Sequence, residues 1–109
     1  MSRINKLNFK IGNKTINKSS KTFLISEIGI NHEGSFLKCI KMIEESKKAG
    51  ADAVKLQTVK AENNYLRSTK SFKEFKKTDF SDEELFKIVN FSKKNKLIFL
   101  STPGTFNEV

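Results

Sequence analysis

Seven polar side chains that could bind a ligand lie at or just beyond the ends of three apolar runs in this sequence: Glu27, Asn31, His32, Lys55, Gln57, Ser101 and Thr102. They provide an ammonium group, hydroxyl groups and amide groups, which together suit an anionic substrate that carries a phosphate or a carboxylate. A carboxylate at the end of an apolar run costs free energy unless it is hydrogen-bonded or lies in an open site. The other interpretation of Glu27 is a side chain that points to solvent at a frayed strand end.

The three apolar runs have the lengths and compositions of short β-strands. Residues 23–28 are mostly bulky or β-branched, which predicts a strand covered on both faces. Residues 53–57 alternate, so Lys55 and Gln57 are expected to share one face. Residues 97–101 predict a third buried strand, again followed by polar residues.

Two amphipathic helices separate these strands. The first is predicted to follow an N-cap at Ser35, to run to about Ala49 and to end with Gly50 as a left-handed C-cap. Its buried stripe consists of apolar residues at helical spacing: Phe36, Cys39, Ile40 and Ile43. The second helix begins at a capping box formed by Ser81 and Glu84. Its predicted buried stripe consists of Leu85, Ile88, Val89 and Ser92.

The order of elements indicates the fold class. Strand, helix and strand joined by short connections form βαβ units, which predicts parallel strands with right-handed crossovers. Three parallel strands leave apolar edges unpaired unless further chain or a partner covers them. The sequence therefore predicts an α/β fold that is the N-terminal part of a larger (β/α) protein. In a (β/α) barrel the carboxyl ends of the strands hold the chemistry.

A β-hairpin is predicted ahead of the first buried strand. Residues 7–11 alternate apolar and polar side chains, and a Gly-Asn turn leads into residues 14–16. Because a two-stranded hairpin is marginal alone, we expect it to cover the end of the larger structure. We therefore divide the chain into an N-terminal hairpin extension, residues 1–22, and a partial (β/α) domain, residues 23–109, that continues beyond the chain end.

The connection at residues 58–80 is long and rich in Lys, Ser, Thr and Asn, with a short helical turn suggested by Phe72 and Phe75. Between residues 60 and 77, six basic residues stand against two acidic ones, with aromatic residues interleaved. One interpretation is a solvated loop over an active site. The alternative is a strip that binds RNA or DNA, for which no recognised motif is present.

Composition limits the remaining possibilities. The chain of 109 residues has 21 Lys and Arg against 12 Asp and Glu, a net charge of +9, but the lysines are scattered along it as on a solvated surface. The single cysteine, Cys39, excludes a disulfide framework and favours a reducing compartment. No apolar stretch approaches the ~20 residues of a membrane span, and none follows the basic residues 1–6. We expect a cytoplasmic protein with no nucleic-acid or membrane partner.

Three motifs, in this order, resemble those of the sialic acid synthases. They are Ser-Glu-Ile-Gly-Ile-Asn-His-Glu-Gly at residues 26–34, Gly-Ala-Asp-Ala-Val-Lys-Leu-Gln-Thr at residues 50–58 and Phe-Leu-Ser-Thr-Pro at residues 99–103. The likeness also covers the hairpin at residues 9–13. Because three motifs occur together in order, the resemblance is more specific than any one of them.

The resemblance implies the fold and the reaction. The fold is a (β/α)8 TIM barrel, of which this chain would supply the hairpin, the first three strands and two helices. A closed barrel takes ~250 residues, so the chain by itself is expected to be inactive. Enzymes of the family condense phosphoenolpyruvate with an N-acylated amino sugar such as N-acetylmannosamine, and release phosphate. The resemblance also implies a divalent metal, Mn²⁺ or Mg²⁺, with ligands beyond residue 109 and none in this chain, and a homodimer of the full-length protein.

The resemblance also implies roles for the residues that match the motifs. Lys55 and Thr102 would bind phosphoenolpyruvate, because an ammonium group and a hydroxyl donor neutralise its anionic groups. Glu27, the expected catalytic residue, and Gln57 would face the sugar, because a carboxylate and an amide suit its hydroxyl groups. The remaining three matching residues are expected to support these ligand contacts: Asn31, His32 and Ser101.

Some positions depart from the family pattern and leave alternatives open. Gly104 stands where the family more often has an apolar residue, and Asn63 and Asn64 give no clear match to the family's sugar-binding asparagine. The substrate within the family is therefore open between N-acetylmannosamine, its 6-phosphate and the precursors of legionaminic and pseudaminic acids. Another phosphoenolpyruvate-condensing synthase of sugar acids and a small basic nucleic-acid-binding module are the remaining alternatives.

Overall fold

The computed structural model describes residues 7–109 as an α/β arrangement of strands and helices around a parallel sheet. Its elements, in chain order, are β1 (Phe9–Ile11), β2 (Lys14–Ile16), β3 (Ile25–Gly29), α1 (Phe36–Lys48), β4 (Ala53–Gln57), α2 (Ala61–Asn64), α3 (Lys70–Lys77), α4 (Asp82–Lys94), β5 (Ile98–Thr102) and a final 3₁₀ turn (Phe106–Glu108).

The sheet consists of β3, β4 and β5 in that order, and both pairings are parallel. The strand β4 lies in the middle, so its residues have a neighbour on each side. Lys55, for example, pairs with Glu27 of β3 and with Leu100 of β5. The predicted parallel arrangement is confirmed, and the carboxyl ends of all three strands lie at one edge of the sheet.

The helices α1 and α4 begin as the sequence predicts. The backbone N–H of Lys38 donates to Ser35 Oγ, at 3.2 Å, and thereby caps α1. At the start of α4 the N–H of Glu84 donates to Ser81 Oγ at 3.2 Å, while the N–H of Ser81 donates to the Glu84 carboxylate at 2.9 Å. Each reciprocal bond satisfies a donor that the first turn of a helix leaves free.

One face of the sheet and the two helices enclose the core. The predicted stripes supply the helical side, since Cys39 and Ile43 of α1 and Ile88 of α4 are completely buried. Val54 and Leu56 of β4 are buried against them. Burial of this apolar surface stabilises the fold by about 25 cal/mol per Å² removed from water.

The hairpin of β1 and β2 packs at the amino-terminal end of the sheet. It is antiparallel, as predicted, and the place of a Cβ on Gly12 lies 3.1 Å from the side chain of Ile98. Lys14 Nζ lies 3.4 Å from the carboxylate of Asp52, which also accepts a hydrogen bond from the N–H of Leu24. The hairpin thus lies against one end of the sheet. The division into residues 1–22 and 23–109 stays a prediction, and residues 1–6 lie outside the described part.

Two expectations about the strands are wrong in detail. The first strand begins at Ile25 and is not covered on both faces, because Ile25 is 50% exposed. The helices cover only one face of the sheet, and β3 alternates between that face and the open one. The third strand spans Ile98–Thr102 and is half-buried, while Leu97 just before it is buried.

The long connection at residues 58–80 is also more ordered than its composition suggests. It contains two helices, α2 and α3, where the sequence suggests only one short turn. Thr69 caps α3 by accepting from the N–H of Phe72 at 3.1 Å. The rings of Tyr65 and Phe75 stack with centroids 4.9 Å apart. The helix α3 has no buried residue, so a cap and an aromatic pair hold it rather than a buried stripe.

Among residues 7–109, no helix has both the length and the apolar character needed to cross a membrane.

Two glycines with positive φ allow a test of how this connection packs. We expect Gly34→Ala to lower the free energy of unfolding more than Gly50→Ala. Both residues have positive φ, +80° and +92°, so both variants pay backbone strain of about 1–2 kcal/mol. Only the Cβ at position 34 meets an obstacle, the backbone oxygen of Lys77 at 2.0 Å, whereas nothing lies within 4 Å at position 50. Urea denaturation measures both losses, and equal losses would contradict packing of residue 34 against the end of α3.

Candidate active site

The strand β4 presents two polar side chains on the face of the sheet that the helices leave open. Its side chains point alternately to the two faces of the sheet, and those of Val54 and Leu56 point into the helical layer. Lys55 and Gln57 therefore lie on the opposite face, as predicted from the alternation, and both are accessible to solvent. The central position of β4 brings side chains of β3 and β5 to either side of them.

Glu27 and Lys55 are neighbours on this open face. The carboxylate oxygen of Glu27 lies 3.3 Å from Lys55 Nζ, and the two side chains are 52% and 36% exposed. An ion pair exposed to this degree contributes about 0–1 kcal/mol, so little free energy is needed to separate it. Lys55 is therefore held in position but remains available to an anionic ligand.

Thr102 lies on the same face at the carboxyl end of β5. It pairs with Gln57, just as Leu100 pairs with Lys55. Because a strand rises about 3.3 Å per residue, Thr102 is about 7 Å further along the sheet than the level of Lys55. The structure thus places Glu27, Lys55, Gln57 and Thr102 on one face near one edge of the sheet.

The strand β3 contains a β-bulge directly after Glu27. Glu27 pairs with Lys55, but Gly29 rather than Ile28 pairs with the next residue of β4, Leu56. Ile28 points into the core, where it is 2% exposed, as strand alternation requires for the residue after Glu27, and the bulge shifts the register only for the residues that follow. Sequence reasoning did not predict the bulge; the glycine that follows Ile28 was the available signal.

Ser101 lies on the other face of β5 from Thr102. It pairs with the buried Leu56, and its hydroxyl is 2.5 Å from the hydroxyl of Thr58. The N–H of Thr58 also donates to the carbonyl of Thr102 at 3.2 Å. Ser101 therefore fastens the ends of β4 and β5 to each other and does not join the cluster around Lys55. Its predicted supporting role stays a prediction.

Asn31 and His32 lie in the turn that follows β3. The side chain of Asn31 is exposed, whereas His32 is 1% exposed and its ring packs on Phe80 with centroids 4.4 Å apart. His32 Nδ1 accepts a hydrogen bond from the N–H of Gly34 at 3.0 Å. Burial, with a smaller contribution from the charge of Lys38, lowers the pKa of His32. The structure therefore gives His32 as a buried ring that fixes the turn through its bond to the N–H of Gly34.

Glu108 is a residue near the site that sequence reasoning missed. Its carboxylate accepts hydrogen bonds from the loop after β5 and from both ends of α2. Burial alone would raise the pKa of Glu108, but the donors around it, first among them the N–H of Lys60, hold that pKa below its usual value. The spacing of Thr105 and Glu108, which matches a capping box, was the signal that could have drawn attention to it.

The structure does not test the nucleic-acid alternative for the basic segment at residues 60–77, and the absence of such a partner stays a prediction. Three of the six cations in this segment form ion pairs: Lys60 with Asp79, Lys76 with Glu62 and Lys77 with Glu74. The aromatic rings of Tyr65 and Phe75 stack on each other, so those two faces are not free to stack on bases.

Residues 7–109 contain no group of three His, Cys, Asp or Glu side chains placed to hold a metal ion. The divalent metal that the resemblance implies, with its ligands beyond residue 109, therefore stays a prediction.

Comparison with known proteins identifies the family. The model of the NeuB family matches residues 42–109. The chain belongs to the NeuB family. The match supports the resemblance to sialic acid synthases that the three motifs indicate.

Named relatives and a solved structure agree with this assignment. The chain is 44% identical over 61 residues to pseudaminic acid synthase of Campylobacter jejuni, covering 56% of this chain and 17% of that protein. It is 34% identical over 103 residues to N,N'-diacetyllegionaminic acid synthase of the same species, covering 82% of this chain and 31% of that protein. The crystal structure of N-acetylneuraminic acid synthetase from Leptospira borgpetersenii superposes with a TM-score of 0.84 at 27% identity, covering 93% of this chain and 35% of that one.

These coverages define what the chain corresponds to. It spans about a third or less of the length of these proteins. Its α/β fold with a parallel sheet matches the N-terminal part of the synthetase barrel, as the sequence predicts.

The burial of His32 gives a pH dependence that can be measured. Its pKa is lowered from 6.5 in the folded state, so below pH 6.5 the unfolded state binds more protons than the folded state. We expect the contribution of His32 to the free energy of unfolding to be complete above pH 6.5 and to be lost as the pH falls below that value. The difference in the free energy of unfolding between the wild type and His32→Gln, measured by denaturation at several pH values, isolates this contribution. A constant difference between pH 7 and pH 5 would contradict the buried, neutral ring.

Proposed function

We propose that the full-length protein containing this chain is a nonulosonic acid synthase that condenses phosphoenolpyruvate with an N-acylated amino sugar and releases phosphate. The observation that carries the proposal is the common face of Glu27, Lys55, Gln57 and Thr102 at the carboxyl edge of three parallel strands. Membership of the NeuB family and the names of the relatives support the same reaction class.

Lys55 and Thr102 are proposed to bind phosphoenolpyruvate. The ammonium group of Lys55 is half-exposed and pairs with Glu27 at 3.3 Å, an interaction that an incoming anion can replace at small cost. Charge-assisted hydrogen bonds to a phosphate or carboxylate are about twice as strong as neutral ones. Thr102, at the rim of the same face, would add a hydroxyl donor.

Glu27 and Gln57 are proposed to face the sugar. Once Lys55 binds the anion, the Glu27 carboxylate is free to accept hydrogen bonds from sugar hydroxyl groups, and we propose it as the catalytic residue of this chain. The amide of Gln57 both donates and accepts, which suits a polyol. The exposure of both side chains leaves room for a ligand on this face.

The proposed reaction joins C3 of phosphoenolpyruvate to the aldehyde carbon of the sugar. Water adds at C2, and cleavage of the bond from C2 to the phosphate oxygen then expels phosphate and leaves a 2-keto acid. A divalent metal, Mn²⁺ or Mg²⁺, belongs to the proposal. Residues 7–109 contain no cluster suited to hold it, and we propose that its ligands lie beyond residue 109. No step is assigned to it on these residues.

Three further features complete the proposal. The partners are the two small-molecule substrates, without nucleic acid or membrane, and the full-length protein is proposed to be a homodimer. We propose a cytoplasmic location, because the single cysteine, Cys39, is buried as a free thiol, and burial raises its pKa to about 11. An unreactive thiol of this kind is compatible with a reducing compartment.

Removing the ammonium group of Lys55 tests the proposed anion site. In the full-length protein we expect Lys55→Met to lower kcat/KM for phosphoenolpyruvate by about 10- to 100-fold, because a charge-assisted hydrogen bond contributes about 1.5–3 kcal/mol. Lys93→Met is the matched control, since Lys93 is an exposed lysine on α4. Steady-state assay of phosphate release measures both variants. Equal kinetics for the two would contradict the assignment.

The acceptor decides between related synthases. The same assay is run with an N-acylated hexosamine, with arabinose 5-phosphate and with erythrose 4-phosphate. We expect turnover with the first alone, because Glu27 and Gln57 suit a neutral polyol. Turnover with either phosphorylated aldose alone would favour the alternative family of sugar-acid synthases.

A further inference from the structure

The Glu108 carboxylate joins two loops that are distant in sequence. One oxygen accepts from the N–H groups of Gly104, at 2.6 Å, and Thr105, at 3.1 Å. The other oxygen accepts from the N–H of Lys60, at 2.9 Å, and from the side-chain amide of Asn64, at 3.0 Å. A weaker contact of 3.4 Å comes from the amide of Asn63. We name this set of contacts the Glu108 clamp.

A helix cap accounts for only half of the clamp. As the third residue of the capping box at Thr105, Glu108 is expected to bond the backbone just ahead of the 3₁₀ turn. That role does not require any donor from either end of α2. The bonds from Lys60 and Asn64 span 48 and 44 residues of sequence, so they fix the position of one loop relative to the other.

The two loops that the clamp joins leave the two strands of the candidate site. Lys60 follows Gln57 by three residues, and Gly104 follows Thr102 by two, while Gln57 and Thr102 are themselves paired. The loop after β4 is anchored a second time, because Lys60 Nζ donates to the Asp79 carboxylate at 2.7 Å and to the carbonyl of Phe80 at 2.9 Å. Movement at the clamp would therefore reach both strand ends.

The fit between Gly104 and Asn64 shows how close the two loops lie. A Cβ on Gly104 would stand 2.3 Å from the Asn64 side-chain oxygen and 2.8 Å from its nitrogen. The Asn64 nitrogen is held in this place by the Glu108 carboxylate and by the carbonyl of Lys60 at 2.8 Å. Glycine at position 104 thus leaves the space that the clamped asparagine occupies.

We infer that Glu108 is a positioning residue, which sets the loops after β4 and β5 so that Thr102 faces phosphoenolpyruvate while its pairing partner Gln57 faces the sugar. The inference rests on the proposed function for its consequence in catalysis. The clamp itself is a property of the fold and is tested without substrate. Glu108 is not a catalytic residue in this account, because its carboxylate is occupied by donors of the protein.

Hydrogen exchange tests the clamp in the full-length protein. We expect Glu108→Gln to accelerate amide exchange both at residues 103–109 and at residues 58–64, since one oxygen bonds each segment. Asn64→Ala, which leaves the bonds to Gly104 and Thr105 in place, is expected to accelerate exchange mainly at residues 58–64. Glu83→Gln is the control, because Glu83 is an exposed carboxylate in the first turn of α4, paired with Lys87. Acceleration by Glu108→Gln confined to residues 103–109 would show a cap and overturn the clamp.

Kinetics then test positioning. With phosphoenolpyruvate and the accepted acylated sugar, we expect Glu108→Gln to raise KM for phosphoenolpyruvate about tenfold. The effects of Glu108→Gln and Asn64→Ala are expected to be non-additive, because the two residues share one interaction. Unchanged KM despite loosened loops would overturn the positioning role. If the wild-type protein has no synthase activity, the proposed function is wrong, and so is the catalytic part of this inference. Amide hydrogen exchange would still show whether Glu108 joins the two loops.

Discussion

The central position of β4, with a parallel neighbour on each side, is the constraint on which the candidate site depends. Parallel pairing puts the carboxyl ends of three strands at one edge, and side chains that pair across it point to the same face. Glu27, Lys55 and Thr102, which lie far apart in sequence, become neighbours or near neighbours only for this reason. A slip of one residue in β4 would turn Lys55 into the helical layer and bury its charge.

The two faces of the sheet have different roles: one forms the packed core and the other carries the candidate site. The face under α1 and α4 carries the buried apolar cluster, and it also carries Ser101, whose hydroxyl bonds Thr58. The open face carries the polar residues that the proposed reaction uses. The turn after β3 contributes to the buried layer, because His32 packs against Phe80. The strand before this turn carries Glu27 on the open face. The loops beyond the strand ends are then fixed by Glu108.

Local signals were sufficient to predict most of this fold, because each acts within a few residues. The capping box at Ser81 and the alternation around Lys55 gave the start of α4 and the two faces of β4 correctly. Within residues 58–80 the sequence predicted only the short turn at Phe72 and Phe75, which the structure extends to the helix α3. The helix α2 was missed, since four residues have no periodicity to detect. The bulge after Glu27 and the contacts of Glu108 depend on pairing across the sheet or across more than forty residues, which no local pattern encodes.

The measurement that most directly tests this account is a crystal structure of the full-length protein with phosphoenolpyruvate bound. The account predicts an anionic group of the ligand within hydrogen-bond distance of both Lys55 Nζ and the Thr102 hydroxyl, with Lys55 released from Glu27. A ligand bound away from this edge of the sheet, with the pair of Glu27 and Lys55 intact, would contradict it.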